Sequence, residues 1–145
     1  MDDNHSDERG GGIHNRGFLT VTNSTISSNT GEDGGGISSV NSSTGIALSV
    51  TNSTISSNTA AFDGGGISST NGRILLDSVT ISGNAATEDG GGIHLVNDSL
   101  HELINVTVSG NNTDDRGGGI FVNGLAGNIV NIDNATIYDL SLIHI

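Results

Sequence analysis

Gly34-Gly-Gly-Ile37 followed by Leu48-Ser-Val-Thr-Asn-Ser-Thr-Ile-Ser-Ser-Asn58 is one unit of a chain that keeps repeating itself. The tetrapeptide Gly-Gly-Gly-Ile stands five times, beginning at Gly10, Gly34, Gly64, Gly90 and Gly117, with spacings of 24, 30, 26 and 27 residues. Self-similarity at such a period marks a stacked array, in which each repeat packs only on its neighbours. The longer motif recurs as Leu19 to Asn29, Ile74 to Asn84, His101 to Asn111 and Val130 to Leu140.

Aligned, the five copies form columns. Ile26, Ile55, Ile81, Val108 and Ile137 make one apolar column, and Val21, Val50, Leu76, Leu103 and Ile132 make another. Leu19, Leu48, Ile74, His101 and Val130 make a third, broken only by His101. The second and third are two residues apart, so they share one face of a strand, and that face is the interior. Thr25, Thr54, Thr80, Thr107 and Thr136 alternate with the apolar positions and point outward, where β-branched side chains stack on a pleated surface. Two Asn columns complete the unit: Asn23, Asn52, Ser78, Asn105, Asn134, and Asn29, Asn58, Asn84, Asn111. An amide both donates and accepts, so identical Asn stacked about 4.8 Å apart should bond from coil to coil as corner ladders.

Composition narrows the architecture. The 145 residues include 23 Gly, no Pro, Cys, Trp or Lys, and 3% aromatics, so there is little bulk for a conventional core. Gly, Ser, Thr and Asn interleaved with Ile, Val and Leu suit strands bounded by tight turns, and the regular columns argue against the disorder that such a composition otherwise suggests. A repeat of about 27 residues is too short for a four-stranded propeller blade and has no helical segment. It fits one rung of an all-β, right-handed, single-stranded parallel β-helix of about five rungs, uncapped, with three short strands and three bends per rung. The three glycines carry the chain through a corner with no room for a Cβ. From each Gly-Gly-Gly-Ile to the next inward apolar residue the counts are 6, 11, 7, 8 and 10. All variation in rung length therefore falls in one bend, marked by the turn signals Asn15-Arg16-Gly17, Asn41 to Gly45, Asn71-Gly72, Asn97-Asp98 and Asn123-Gly124.

The array is expected to occupy residues 1–139, with repeats starting near 10, 34, 64, 90 and 117. Residues 140–145, Leu-Ser-Leu-Ile-His-Ile, match no repeat and read as the translation of a transposon-end adapter, a non-native tail on a fragment cut within the array.

Net charge is −12, with four Arg as the only permanent side-chain cations, which excludes binding to a phosphate backbone. Without Cys there are neither disulfides nor thiolate metal sites. No apolar run approaches the roughly 20 residues of a membrane helix, so this segment is not expected to insert in a membrane.

Gly-Gly-Gly-Ile with Leu19-Thr-Val-Thr-Asn-Ser-Thr-Ile-Ser-Ser-Asn-Thr30 resembles the repeats of the polymorphic outer-membrane proteins found among bacterial adhesins and autotransporter passengers, and more broadly the β-helix class shared with pectate lyases. The likeness runs from about Gly10 to Tyr138, although only Phe121 supplies the aromatic residue that the family tends to carry after the glycines. It implies a secreted or surface-displayed stalk or adhesin of a bacterium, extracellular or on the outer membrane, meeting glycans or surface proteins through the variable bend. Exposed end strands would allow self-association.

No catalytic, cofactor-binding or metal residue is assigned. Ahead of the glycines stands the column Arg9, Asp33, Asp63, Asp89, Arg116, preceded by Glu8, Glu32, Phe62, Glu88, Asp115. Stacked carboxylates could take Ca²⁺, but the calcium-roll pattern with Asp inside the glycine loop is absent. A solvated acidic edge is the favoured reading, with Arg9 and Arg116 pairing Asp33 and Asp89 and leaving Asp63 between like charges. The alternative function is a carbohydrate-active lyase or hydrolase with its catalytic rungs elsewhere. Its requirements are unmet here: no Lys can act as base, and Arg16 and Arg73 stand two rungs, roughly 10 Å, apart. His14 and His94 share a column three rungs, roughly 14 Å, apart, too far to share a metal. His101 is expected to be a partly buried neutral histidine.

Overall fold

In the computed structural model, which describes residues 1–41, 45–96, 100–124 and 129–138, every strand pair is parallel and each strand lies on its counterpart one repeat away. Ile13–Asn15, Ile37–Val40, Ile67–Thr70, Ile93–Val96 and Ile120–Asn123 form a five-stranded sheet, each opened by the isoleucine of a Gly-Gly-Gly-Ile. The second sheet is built on Leu19–Thr22 with Thr25–Ser27, Ile46–Ser56, Arg73–Ser82, Leu100–Ile104 with Thr107–Ser109, and Ile129–Asp133 with Thr136–Tyr138. A third sheet stacks the two-residue strands Thr30–Gly31, Thr59–Ala60, Ala85–Ala86 and Asn112–Thr113. The whole is a parallel β-solenoid. Five glycine corners delimit about four complete turns, and the last copy adds a fifth layer to the first and second sheets, in line with the expected count of about five rungs. Among the described residues there is no helix.

The register is the expected one. Ile26 pairs with Ile55, Ile55 with Ile81, Ile81 with Val108, and Val108 with Ile137. Val21, Val50, Leu76, Leu103 and Ile132 align in the same way. In the central layers these side chains, with Ile37, Ile67 and Ile93 from the first sheet, are removed from water and form one continuous core. Burial fades in the last layer, where Ile132 and Ile137 are half exposed.

Each turn departs from the expected plan of three short strands. The two strand segments of the long motif run together in the middle layers into strands of 11 and 10 residues. The third strand is a pair of residues separated from the acidic column by one or two others, and it has no apolar signature to reveal it. The merged strand also explains why Val50 and Ile55 both face inward although they are five apart, an odd interval that simple alternation forbids. Asn52 sits at φ +48°, and its counterparts Asn23, Ser78, Asn105 and Asn134 are likewise left-handed. One such residue resets the alternation, and it turns Ser53, Val79 and Val106 inward as well.

The two Asn columns therefore differ. Asn29, Asn58, Asn84 and Asn111 are buried and form the expected ladder: Nδ2 of each donates to Oδ1 of the next at 2.9 to 3.0 Å. The same Oδ1 atoms accept the backbone N–H of the preceding Asn, and the second Nδ2 proton of Asn58 goes to the Ile26 carbonyl at 3.1 Å. The ladder gains a rung at its start, where Asn4 donates from both its backbone N–H and its Nδ2 to Asn29 Oδ1. In the other column Asn134 Nδ2 donates to Asn105 Oδ1 at 2.6 Å, while Asn23, Asn52, Ser78, Asn105 and Asn134 all hold left-handed backbone, so its asparagines serve mainly by tolerating that conformation.

The glycine corner is as crowded as expected. A Cβ on Gly36 would stand 2.6 Å from the Gly66 carbonyl oxygen and 3.0 Å from Asn58 Nδ2, so the third glycine column is what lets the amide ladder close against the backbone.

Candidate functional site

Asp33, Asp63 and Asp89 stand where the short third strand ends and the glycine corner begins. The backbone at the following residue is left-handed, with φ between +65° and +67° at Gly34, Gly64 and Gly90. That corner returns the chain over the outer side of the first sheet, with its left-handed glycines against the backbone of Ser38, Ser68 and His94. Those three are one column, bounded by His14 and Phe121 in the outer layers. His94 alternates with the core residues Ile93 and Leu95 and so faces away from the core, yet it is only 4% exposed because the acidic segment covers it.

The carboxylates are tied into the stack through their Oδ1 atoms. Asp63 Oδ1 accepts the Asp89 backbone N–H at 3.0 Å, and Asp33 Oδ1 accepts that of Asp63 at 3.4 Å. The Oδ2 atoms meet the cations. Arg9 Nε lies 3.1 Å from Asp33 Oδ2, and Arg116 grips Asp89 with two bonds, Nε to Oδ1 at 3.0 Å and Nη2 to Oδ2 at 2.7 Å. Arg116 also stacks over Phe121 at 4.7 Å from its centroid, and Phe121 in turn lies 5.5 Å from the His94 ring.

Both end pairs thus form as the charges suggested, but the edge is not the solvated one expected. Asp89 is 6% exposed, and Asp63 is only partly exposed. Nor is Asp63 left among like charges alone: its Oδ2 stands 3.2 Å from His94 Nδ1. That contact lacks the angle of a hydrogen bond, and both ring nitrogens of His94 are buried without a hydrogen-bond partner. Burial raises the Asp63 carboxyl above its ordinary value, opposed by His94 and by the N–H of Asp89, and reinforced by Asp33 and Asp89. Burial also lowers His94 below its ordinary value and outweighs the pull of Asp63, Asp89 and Asp33, with Arg116 adding to the lowering. The imidazole is neutral at pH 7, with a lone pair to offer. Asp63, Asp89 and His94 place one ligand atom each within 4.8 Å of one another.

His94 and His14 share a column with two layers between them, as the spacing implies. The column alone does not reveal the corner, which brings a residue five positions before a histidine back over it: His14 Nδ1 makes the same approach to the Arg9 carbonyl at 3.2 Å. The readable signal was Asp89 and His94 flanking Gly-Gly-Gly-Ile.

The other singled-out residues do not converge. Arg73 pairs with Glu102 at 2.8 Å across neighbouring layers, while Arg16 Nε donates to His14 Nε2 at 3.2 Å in the first layer. His101 is fully buried rather than partly so, and its Nδ1 accepts the Ile74 N–H at 3.3 Å, which requires that nitrogen to be unprotonated. A histidine replaces an apolar residue there by taking a backbone bond from the layer below. In the variable bend, Asn71 at φ +53° and Gly72 at +119° make the turn that Asn-Gly announces. Residues 42–44 and 97–99 of that bend, and the suspected tail at 140–145, lie outside the described residues.

Residues 78–95, which run from the left-handed Ser78 through the buried Asn84 and the glycine corner to Leu95, match the family model of the Chlamydia polymorphic membrane protein repeat. No curated protein and no solved structure matches the chain. The chain is a parallel β-solenoid whose repeat is similar to that of the polymorphic membrane proteins.

Proposed function

We propose that the chain is a stalk or adhesin segment of a bacterial surface protein, contacting glycans or proteins along the flank that carries the variable bend. The observation that supports this most is the family repeat at residues 78–95, which lies in register with its counterparts above and below. In every layer the bend falls between the first sheet and the second, so differences in its length change one flank and leave the Thr and Asn columns untouched. That flank presents Phe18, 75% exposed, beside the exposed Arg16. A large aromatic and an arginine are the side chains that most often anchor a partner. In this reading the segment is not an enzyme, and its scattered arginines, each engaged separately, fit no groove for a charged polysaccharide. The half-exposed Ile132, Ile137 and Tyr138 of the last layer give it a way to self-associate.

The test is binding of the purified chain to arrayed glycans and surface proteins, with antibody labelling of intact producing cells. Expected are surface labelling and an interaction removed by Arg16→Glu with Phe18→Ser but kept in Thr20→Glu, on the exposed Thr face. Binding indifferent to the flank, labelling only after lysis, or turnover of polyuronate would overturn the proposal.

A further inference from the structure

We infer that Asp63, Asp89 and His94 form a binding site for one divalent transition-metal ion of the Zn²⁺ class, with Arg116 as its built-in competitor. Carboxylates in a row would not carry this. His94 does: a histidine 4% exposed, with both ring nitrogens lacking hydrogen-bond partners, is set against two carboxylates. Burying an imidazole without a partner is unfavourable, and something must offset it.

The geometry indicates what. Asp63 Oδ2 and His94 Nδ1 are 3.2 Å apart, yet the angle between them is not that of a hydrogen bond. In a tetrahedral site with bonds of 2.0 to 2.2 Å, neighbouring ligand atoms are separated by about 3.3 Å. Two of the three donors therefore already stand at the edge length of such a site. Asp89 closes the third position within 4.8 Å and must move inward by an ångström or so. Its carboxylate is held back by Arg116, whose side chain is half exposed and can swing toward solvent, giving up its stacking on Phe121, once a dication takes over Asp89. Solvent at that rim can supply the fourth ligand.

Charge and ligand chemistry agree. A neutral imidazole is the form that binds a metal, and a carboxylate whose ionisation is opposed by burial gains most from a nearby cation. The donor set also chooses among ions. Ca²⁺ asks for six to eight oxygens, whereas one imidazole with two carboxylates suits Zn²⁺, Co²⁺ or Mn²⁺. A metal here would join layers three and four on the outer side of the first sheet, as the amide ladder joins them within. This inference is independent of whether the segment binds a surface partner.

The experiment is titration of the chelator-treated chain with Co²⁺, followed by its visible absorption, and with Zn²⁺ by calorimetry, each set beside the urea midpoint. Expected is one equivalent, with the intense bands of four-coordinate Co²⁺ and a midpoint raised by Zn²⁺. His94→Gln and Asp63→Asn should each weaken binding at least tenfold. Asp63→Asn keeps the Oδ1 that accepts the Asp89 N–H, so the fold survives and the loss can be read as loss of a ligand. Arg116→Gln should bind tighter than the parent, since the competing cation is gone, whereas a purely structural role for that arginine predicts the reverse. His14→Gln, in the same column at the far end of the first sheet, should change nothing. Failure of Zn²⁺ and Co²⁺ to bind, retention of binding in His94→Gln, or weaker binding in Arg116→Gln overturns the assignment.

Discussion

Two polar columns run along this solenoid, and identical stacking has opposite consequences in them. In the ladder of Asn29, Asn58, Asn84 and Asn111 each side chain donates to one neighbour and accepts from the other, so repetition satisfies every rung. In the column of Asp33, Asp63 and Asp89 each side chain can only accept. Asp33 and Asp63 each take one backbone N–H from the next layer, and Asp63 faces like charge above and below. The ladder can therefore be fully buried and extended through any number of turns. The carboxylate column needs cations, which Arg9 and Arg116 supply at its ends, and its middle member is left to His94. Stacking is self-sufficient for an amide and conditional for an acid, and the conditional column is where chemistry can enter.

The strongest challenge to this contrast is to write one column into the other. Asn58→Asp removes the two Nδ2 bonds, to Asn84 Oδ1 and the Ile26 carbonyl, and points a charge at both acceptors in a fully buried position. A loss of about 3–5 kcal/mol in urea unfolding is expected, enough to leave the chain unfolded. Asn58→Ala should cost less, about 2–4 kcal/mol, because it deletes bonds without adding charge. A folded, stable Asn58→Asp chain would mean the two columns are interchangeable and the contrast is empty.

Acid comes next, and it should act on one column alone. His94 is held below its ordinary value by burial, with Asp33, Asp63, Asp89 and Arg116 as the charges facing it. The folded form thus resists a proton that the unfolded chain accepts, so this contribution is complete above about pH 6.5 and is lost as pH falls below it. Asp63 is shifted the other way, raised by burial, so its contribution is complete below the ordinary carboxylate value and is lost as pH rises through the higher folded value. The two act with opposite sign, so protonation of Asp63 offsets part of the loss from His94 as the solution is acidified. The urea midpoint should decline as pH drops below about 6.5, and His94→Gln should flatten that decline. An unchanged slope in the variant would show that His94 is not the titrating group.

The same contrast marks how far the sequence could be read. The apolar columns, the outward threonines and the inner amide ladder were all legible, because in a solenoid a residue meets its own copy and column identity is contact identity. The end pairs Arg9 with Asp33 and Arg116 with Asp89 followed from that rule too. What the columns could not show were contacts between different columns. His94 meets Asp63 because the left-handed glycine that follows each aspartate, Gly64 after Asp63, folds the acidic segment over the first sheet, and alignment of like with like contains no term for that. Thr59–Ala60 and its counterparts escaped notice for another reason: a two-residue strand of small side chains has no periodicity to detect. Asn4 was missed because a single Asn outside the full motif has no column until the ladder is built.

A milder exchange asks whether Asp63 destabilises the metal-free chain. In Asp63→Asn the Oδ1 atom still accepts the Asp89 N–H, and the charge between Asp33 and Asp89 is gone. The urea midpoint should stay level or rise by up to about 1 kcal/mol at neutral pH. A clear loss would mean that the His94 contact is a charged pair after all, and that the acid column supports itself.

The smallest expected effect separates the two kinds of asparagine. Asn52 belongs to the outer column, is exposed, and holds φ +48° to reset the alternation between Val50 and Ile55. If the backbone is what the position requires, Asn52→Gly should be within about 0.5 kcal/mol of the parent, since glycine takes that conformation freely. Asn52→Ala should cost about 1–2 kcal/mol, the strain of a Cβ in the left-handed region. At Asn58 the order is different in kind: glycine and alanine both delete the amide and both should be severe. A glycine tolerated at position 52 and not at 58 would establish that one residue type is used for its backbone in one column and for its side chain in the other. Equal sensitivity at the two sites would mean the outer column carries a side-chain ladder that the Asn134 to Asn105 bond only begins to show.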